Sequence, residues 1–194
     1  MRRTCVLITA AILLSAPALA QTKPAPAAPP VKTSPGAGPV IVIETSRGVI
    51  ELETYPEDAP KTVDHIVALV QRRFYNGQRV HRVEPNFLIQ MGDPQTRDYT
   101  KRDMWGRGPG AGSGKPIGAA ELSKRRTHVR GAVGMAHAGD PTQADSQFYI
   151  LRKDSPGLNG KYVIFGKVIS GMDVVDKIQV GDVIKRVTVK NPTT

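Results

Sequence analysis

The sequence predicts a mainly β domain: a closed antiparallel β-barrel capped by two α-helices. Three observations carry that expectation. Between Asn76 and Phe165, short apolar runs alternate with Gly- and Pro-rich turns, the pattern of many short strands. Only two stretches repeat apolar residues at helical spacing. Closure into a barrel also removes the exposed edges that so many strands would otherwise leave.

The 194 residues divide into three segments. Arg2 and Arg3 precede an apolar run from Val6 to Leu14, and Ala18-Leu19-Ala20 places small residues before Gln21. Residues 1–20 therefore read as a signal peptide, since the run is shorter than the roughly 20 residues of a membrane span. Export follows, with the periplasm as the expected compartment and release from the cell as the alternative. Cys5, the single cysteine, would leave with the signal, so the mature chain is expected to hold no disulfide. Residues 21–39 are rich in Pro and Ala and read as a disordered linker, unable to bury enough apolar area to order itself. Residues 40–194 form the folded domain.

Within that domain, Val40-Ile41-Val42-Ile43 and Ile50-Glu51-Leu52-Glu53 flank Ser46-Arg47-Gly48 as a hairpin. A helix follows. Pro60 suits its first turn, Asp58 is its candidate cap, and Val63, Ile66, Val67 and Val70 form one apolar face. Asn76-Gly77 marks the turn out. Met172 to Ile178 is the second helix, and Ile184 to Val189 alternates as a last strand.

Composition excludes several functions. The net charge of +10 falls to +8 once Arg2 and Arg3 are removed. The basic residues are dispersed, with Lys124-Arg125-Arg126 the longest cluster and no aromatic interleaving. Attraction to an anionic surface is expected, but no specific nucleic-acid partner. Gly108 to Lys115 fails the phosphate-loop spacing at Pro109 and Pro116. His65, His81, His128 and His137 lack ligand spacing, and no nucleophile elbow is present. Neither a cofactor nor a metal is expected.

Two blocks carry the chemistry: Val80-His81-Arg82-Val83-Glu84-Pro85-Asn86-Phe87-Leu88-Ile89-Gln90-Met91-Gly92-Asp93, and Ser146-Gln147-Phe148-Tyr149-Ile150. Strand alternation can place Arg82, Gln90 and Gln147 on one surface with Phe87, Leu88 and Tyr149. An apolar concavity with a few fixed donors suits a neutral substrate whose shape must change.

These blocks, with Gly134-Met135-Ala136 and Gly160-Lys161-Tyr162-Val163-Ile164-Phe165-Gly166-Lys167-Val168, resemble cyclophilin-type peptidyl-prolyl cis-trans isomerases. The likeness runs from Val40 to Val189. It implies an eight-stranded barrel capped by two helices, no cofactor, and proline-containing unfolded or flexible polypeptides as partners; a monomer is expected. Arg82 and Gln90 would be the catalytic pair, the guanidinium aimed at the proline amide and the glutamine holding it. Phe87, Leu88, Tyr149 and Leu158 would form the proline pocket. Gln147, Tyr162 and the backbone of Ala136 and His137 would hold the peptide. The implied role is to assist folding of exported proteins; a peptide-binding chaperone or adaptor without turnover is the alternative.

The chain departs from the common pattern at several positions. Gly157 stands where many eukaryotic members carry Trp, Tyr162 where they carry His, and His137 where Asn is common. Trp105, the only tryptophan, is expected in another loop. The Trp position is associated with cyclosporin binding more than with turnover, so weak cyclosporin binding is expected.

Overall fold

The computed structural model describes residues 38–108 and 110–190. The signal peptide and nearly all of the linker lie outside the described residues. The hairpin forms as expected: β1 (Val40–Thr45) runs antiparallel to β2 (Gly48–Thr54), with Ile41 opposite Leu52 and Ile43 opposite Ile50, all four buried.

Helix α1 (Pro60–Gln71) buries Thr62, Val63, Ile66, Leu69 and Val70 against the barrel core. Its expected cap is wrong. Ala59 occupies the cap position without a side-chain bond. Glu121, about 60 residues away in sequence, accepts instead from the N–H groups of Lys61 and Thr62, at 2.9 Å each, and from the Thr62 hydroxyl at 2.8 Å. A carboxylate there satisfies orphan amide donors and faces the positive end of the helix. Asp58 is engaged elsewhere, paired with Arg125 at 2.7 Å and Arg126 at 2.8 Å.

The remaining strands are β3 (Arg82–Glu84), β4 (Leu88–Met91), β5 (Ala132–Met135), β6 (Phe148–Leu151), β7 (Ile164–Ser170) and β8 (Ile184–Lys190). Helix α2 (Met172–Lys177) lies between the last two. Gly171 starts α2 with φ 87°, and a side chain there would meet the Val49 carbonyl at 2.3 Å, so both backbone conformation and space demand glycine.

The eight strands form one antiparallel sheet in the order β3-β4-β6-β5-β7-β2-β1-β8. Here the expected closure is corrected: the curled sheet is open, because no ladder joins β3 to β8. The segments preceding those strands meet through a single bridge, Arg79 to Val183. Beside it, Val80 N–H donates to the Asp182 carbonyl at 3.0 Å and Ile184 N–H to the Gln78 carbonyl at 2.8 Å. The physical reason is the length of β3. Three residues precede the Pro85-Asn86 turn, where Asn86 takes φ 58°, and that is too short for a full ladder.

Strand periodicity then separates two faces. Ile89, Met91, Val133, Met135, Phe148, Ile150 and Phe165 point inward to the main core with α1. Leu88, Ala132, Tyr149, Leu151 and Ile164 point outward and form a second apolar cluster. The outward cluster is the floor of the site.

Candidate active site

Pairing register aligns the polar residues before any side chain is considered. Arg82 of β3 lies opposite Gln90 of β4, Gln90 opposite Tyr149 of β6, and Tyr149 opposite Gly134 of β5. Directly opposed residues share a face of a sheet. Tyr149 belongs to the outer cluster, so Arg82 and Gln90 stand on the outer face beside it.

A relay of side-chain bonds fixes their orientation. Arg82 Nη1 donates to Gln90 Oε1 at 3.3 Å, and Gln90 Nε2 donates to Gln147 Oε1 at 2.8 Å. Gln147 Nε2 donates in turn to the Ala111 carbonyl at 2.8 Å. A carbonyl can only accept, so this last bond sets both amides and leaves Gln90 Oε1 facing the guanidinium. Arg82 Nε also donates to Glu84 Oε1, two residues along the same strand, at 3.3 Å. These bonds engage two of five guanidinium donors, and the side chain is 47% exposed. The remaining donors are available to a substrate. Burial pushes His81 down to about 4, so the imidazole next to Arg82 in sequence is neutral at pH 7.

The apolar residues named from the sequence lie together. Phe87, Ala136, Leu158 and Tyr162, all half-buried, pack on the cluster containing Leu88 and Tyr149. Leu158 thus lies outside the barrel interior. His137 Nε2 lies 3.0 Å from the Lys161 carbonyl, and its ring centroid is 4.4 Å from that of Tyr162. Ala136 N–H donates to the Gln147 carbonyl at 2.9 Å, so that donor is spent within the fold. Gln90, Gln147, Ala136 and His137 continue into a cleft of about 560 Å³ that Gly106, Arg107, Gly108, Ala111 and Gly112 also line.

Gly157 opens onto space, with nothing within 4 Å of where a side chain would begin. Trp105 is remote in role: its Nε1 donates to the Asp98 carbonyl at 3.1 Å and its ring packs edge-on to Tyr99. Among the described residues, no cluster of three or more His, Cys, Asp or Glu could hold a metal ion, and no helix is long and apolar enough to cross a membrane.

Sequence reasoning missed two supports. One is the Ala111 carbonyl that anchors Gln147. The other is His128, buried behind Tyr149 with Nε2 2.8 Å from the phenol oxygen and Nδ1 3.0 Å from Asn159 Oδ1. Both join residues more than 20 positions apart, and no local pattern announces them.

What this arrangement can do follows from amide chemistry. A peptide bond resists rotation by about 18–20 kcal/mol because nitrogen donates its lone pair to the carbonyl. A twisted amide regains that pair, and a preorganised N–H donor aimed at it favours the twisted form over both planar isomers. An exposed, braced guanidinium beside an apolar pocket supplies such a donor without a nucleophile.

Comparison with known proteins agrees. The profile described as cyclophilin type peptidyl-prolyl cis-trans isomerase matches residues 40–194. A probable peptidyl-prolyl cis-trans isomerase of Brucella abortus is 43% identical over 152 residues, covering 78% of this chain and 77% of that protein. Peptidyl-prolyl cis-trans isomerase B of Bacillus subtilis is 41% identical over 141 residues, 73% of this chain and 90% of its own. A cyclophilin-type isomerase from Cryptosporidium parvum superposes with a TM-score of 0.67 at 27% identity, covering 79% of this chain and 98% of its own. Its structure in the presence of the dipeptide Ala-Pro gives 0.66 at 28% identity, covering 78% and 98%. The chain belongs to the cyclophilin-type peptidyl-prolyl cis-trans isomerase family.

Proposed function

We propose that this isomerase turns X–Pro bonds over on the outer face of its sheet, with Arg82 donating to the proline nitrogen in the twisted state and Gln90 bracing it. Phe87, Leu88, Tyr149 and Leu158 take the proline ring. Gln147, Tyr162 and the main chain at Ala136 and His137 hold the flanking peptide. Since Ala136 N–H is already bonded to Gln147, the peptide's partners there are the remaining main-chain groups. The observation that carries this reading is the single row Arg82–Gln90–Tyr149, set by register and locked through Gln147. One charge-assisted hydrogen bond contributes about 1.5–3 kcal/mol, which is roughly ten- to a hundredfold in rate.

The clients in this proposal are exported proteins. Support comes from Arg2-Arg3, the Val6–Leu14 run and Ala18-Leu19-Ala20, which together suit cleavage before Gln21 and a periplasmic enzyme. Two experiments test the two halves. Titrating the labelled protein with an Ala-Pro peptide should shift backbone amides at Arg82, Gln90, Gln147 and Tyr149 first; shifts confined to other strands would contradict the placement. Intact mass of the exported protein should lack residues 1–20, and finding Cys5 in it would contradict the export reading.

A further inference from the structure

Tyr149 carries a hydroxyl into the floor of the proline pocket, and the fold makes room for it. At Gly134, directly opposite, a Cβ would fall 2.4 Å from that oxygen. The hydroxyl's neighbour is His128, 1% exposed, whose Nε2 lies 2.8 Å away.

The direction of that bond can be deduced. Asn159 Oδ1 accepts from the His128 backbone N–H at 2.8 Å. A backbone N–H can only donate, so the Asn159 atom there is the oxygen. The same oxygen lies 3.0 Å from His128 Nδ1, which must therefore carry the proton. Neutral His128 then presents a bare Nε2, and the Tyr149 hydroxyl donates to it. This is a fixed tautomer with one arrangement of protons.

We propose that His128 is a positioning residue of the proline pocket: acting through the Tyr149 hydroxyl, it makes the pocket's grip on proline depend on its own protonation. The inference rests on the placement of the proline ring against Tyr149 given above. A proton on Nε2 removes the acceptor and turns the imidazole into a donor to the phenol oxygen, so the Tyr149 hydrogen must swing away from His128. The titratable groups facing the ring are Tyr149 on β6 and Tyr162 ahead of β7, the latter edge-on with centroids 6.5 Å apart. Burial keeps the Tyr149 phenol protonated and pulls His128 below the usual histidine range. Arg126, two residues away in sequence, directs its guanidinium to Asp58 and over the Tyr55 ring. Among the described residues, no side-chain hydrogen bond joins His128, Tyr149 or Asn159 to Arg82 or Gln90, so acidification should act on KM and leave kcat nearly unchanged.

The test uses the exported protein at full length. Long-range 1H–15N spectra of the imidazoles should show His128 as the Nδ1–H tautomer at pH 7.5. Isomerisation of an Ala-Pro peptide, followed by NMR exchange from pH 7.5 downward, should show KM rising about three- to tenfold across the His128 titration, a cost of about one neutral hydrogen bond. Saturating peptide should lower the His128 titration midpoint, since it favours the neutral form. Tyr149→Phe should raise that midpoint and abolish the His128-linked rise in KM. An Nε2–H tautomer for His128, or an unchanged pH profile in Tyr149→Phe alongside an altered KM, would overturn the role of His128 alone. A KM in Tyr149→Phe identical to the parent's at every pH would overturn the pocket placement as well.

Discussion

The inner and outer faces of the sheet are built from the same strands and obey opposite logic. Ile89, Met91, Val133, Phe148, Ile150 and Phe165 alternate inward and are held by close packing alone. One residue along each strand, Arg82, Gln90 and Tyr149 alternate outward and are held by hydrogen bonds: Arg82 by Gln90 and Glu84 of the sheet itself, Gln90 by Gln147 just ahead of β6, and Tyr149 by His128 from a distant loop. The inner face specifies shape and tolerates no polar group without a partner. The outer face is apolar enough to seat a ring and keeps a few donors only because other residues fix their orientation. Stability and function therefore separate by strand parity, and substitutions on the two faces should separate in their readouts.

The largest stability effect should come from the inner face. Phe165→Ala removes a buried ring that meets Phe148 edge-on at 6.0 Å and should destabilise by about 3–5 kcal/mol. Denaturant melts measure this, and kcat/KM per folded molecule should stay near the parent's. A loss of activity without a loss of stability would break the comparison.

Next comes the polar scaffold of the outer cluster. Asp58, 2% exposed at its side chain, holds Arg126 against the Tyr55 ring, 3.6 Å from its centroid. Asp58→Ala should cost about 1–3 kcal/mol, less than a fully buried pair because Arg125 remains 43% exposed to solvent. Burial acts to raise the Asp58 pKa, but hydrogen bonds from Arg126, Arg125 and Ser123 outweigh it and leave it below the usual carboxylate range. The sign follows: this stabilisation is complete above the unfolded value near 3.9 and is lost as pH falls through the lower folded value. Thermal melts from pH 6 down to pH 2 should show the parent losing stability that Asp58→Ala never had.

The smallest effect on stability should come from Gly157→Trp, at an exposed position with empty space around it, within about 0.5 kcal/mol. It restores an aromatic wall capable of burying roughly 150–250 Å². Cyclosporin, expected to bind the parent weakly, should bind this variant more tightly by calorimetry with turnover little changed. Tight binding to the parent would show that the missing wall is immaterial.

The sequence displayed the two faces unevenly. Period-two alternation made the strands around Leu88 and Tyr149 readable, and the 3.6-residue period of Val63, Ile66 and Val70 made α1 readable, because these signals are local. The cap of α1 was misread since Asp58, adjacent in sequence, is held by Arg125 and Arg126, and Glu121 arrives from a remote loop. Closure was misread because it depends on the length of β3 and on contacts between Gln78–Val80 and Asp182–Ile184. The residues proposed for the proline pocket were named through resemblance, and the fold gathers them in one outer cluster. The supports beneath them, the Ala111 carbonyl and His128, were not, because they are tertiary contacts between unremarkable residues.

In the proposed mechanism an outward-facing guanidinium, braced by Gln90, accelerates rotation while contributing little to the fold. The direct measurement is kcat/KM of Arg82→Ala on a proline-containing tetrapeptide, with the melting temperature determined on the same sample. The expected result is a loss of roughly ten- to a thousandfold, only partial recovery in Arg82→Lys, whose ammonium lacks the planar fork that Gln90 braces, and a melting temperature close to the parent's. A folded Arg82→Ala protein with full isomerase activity would contradict it.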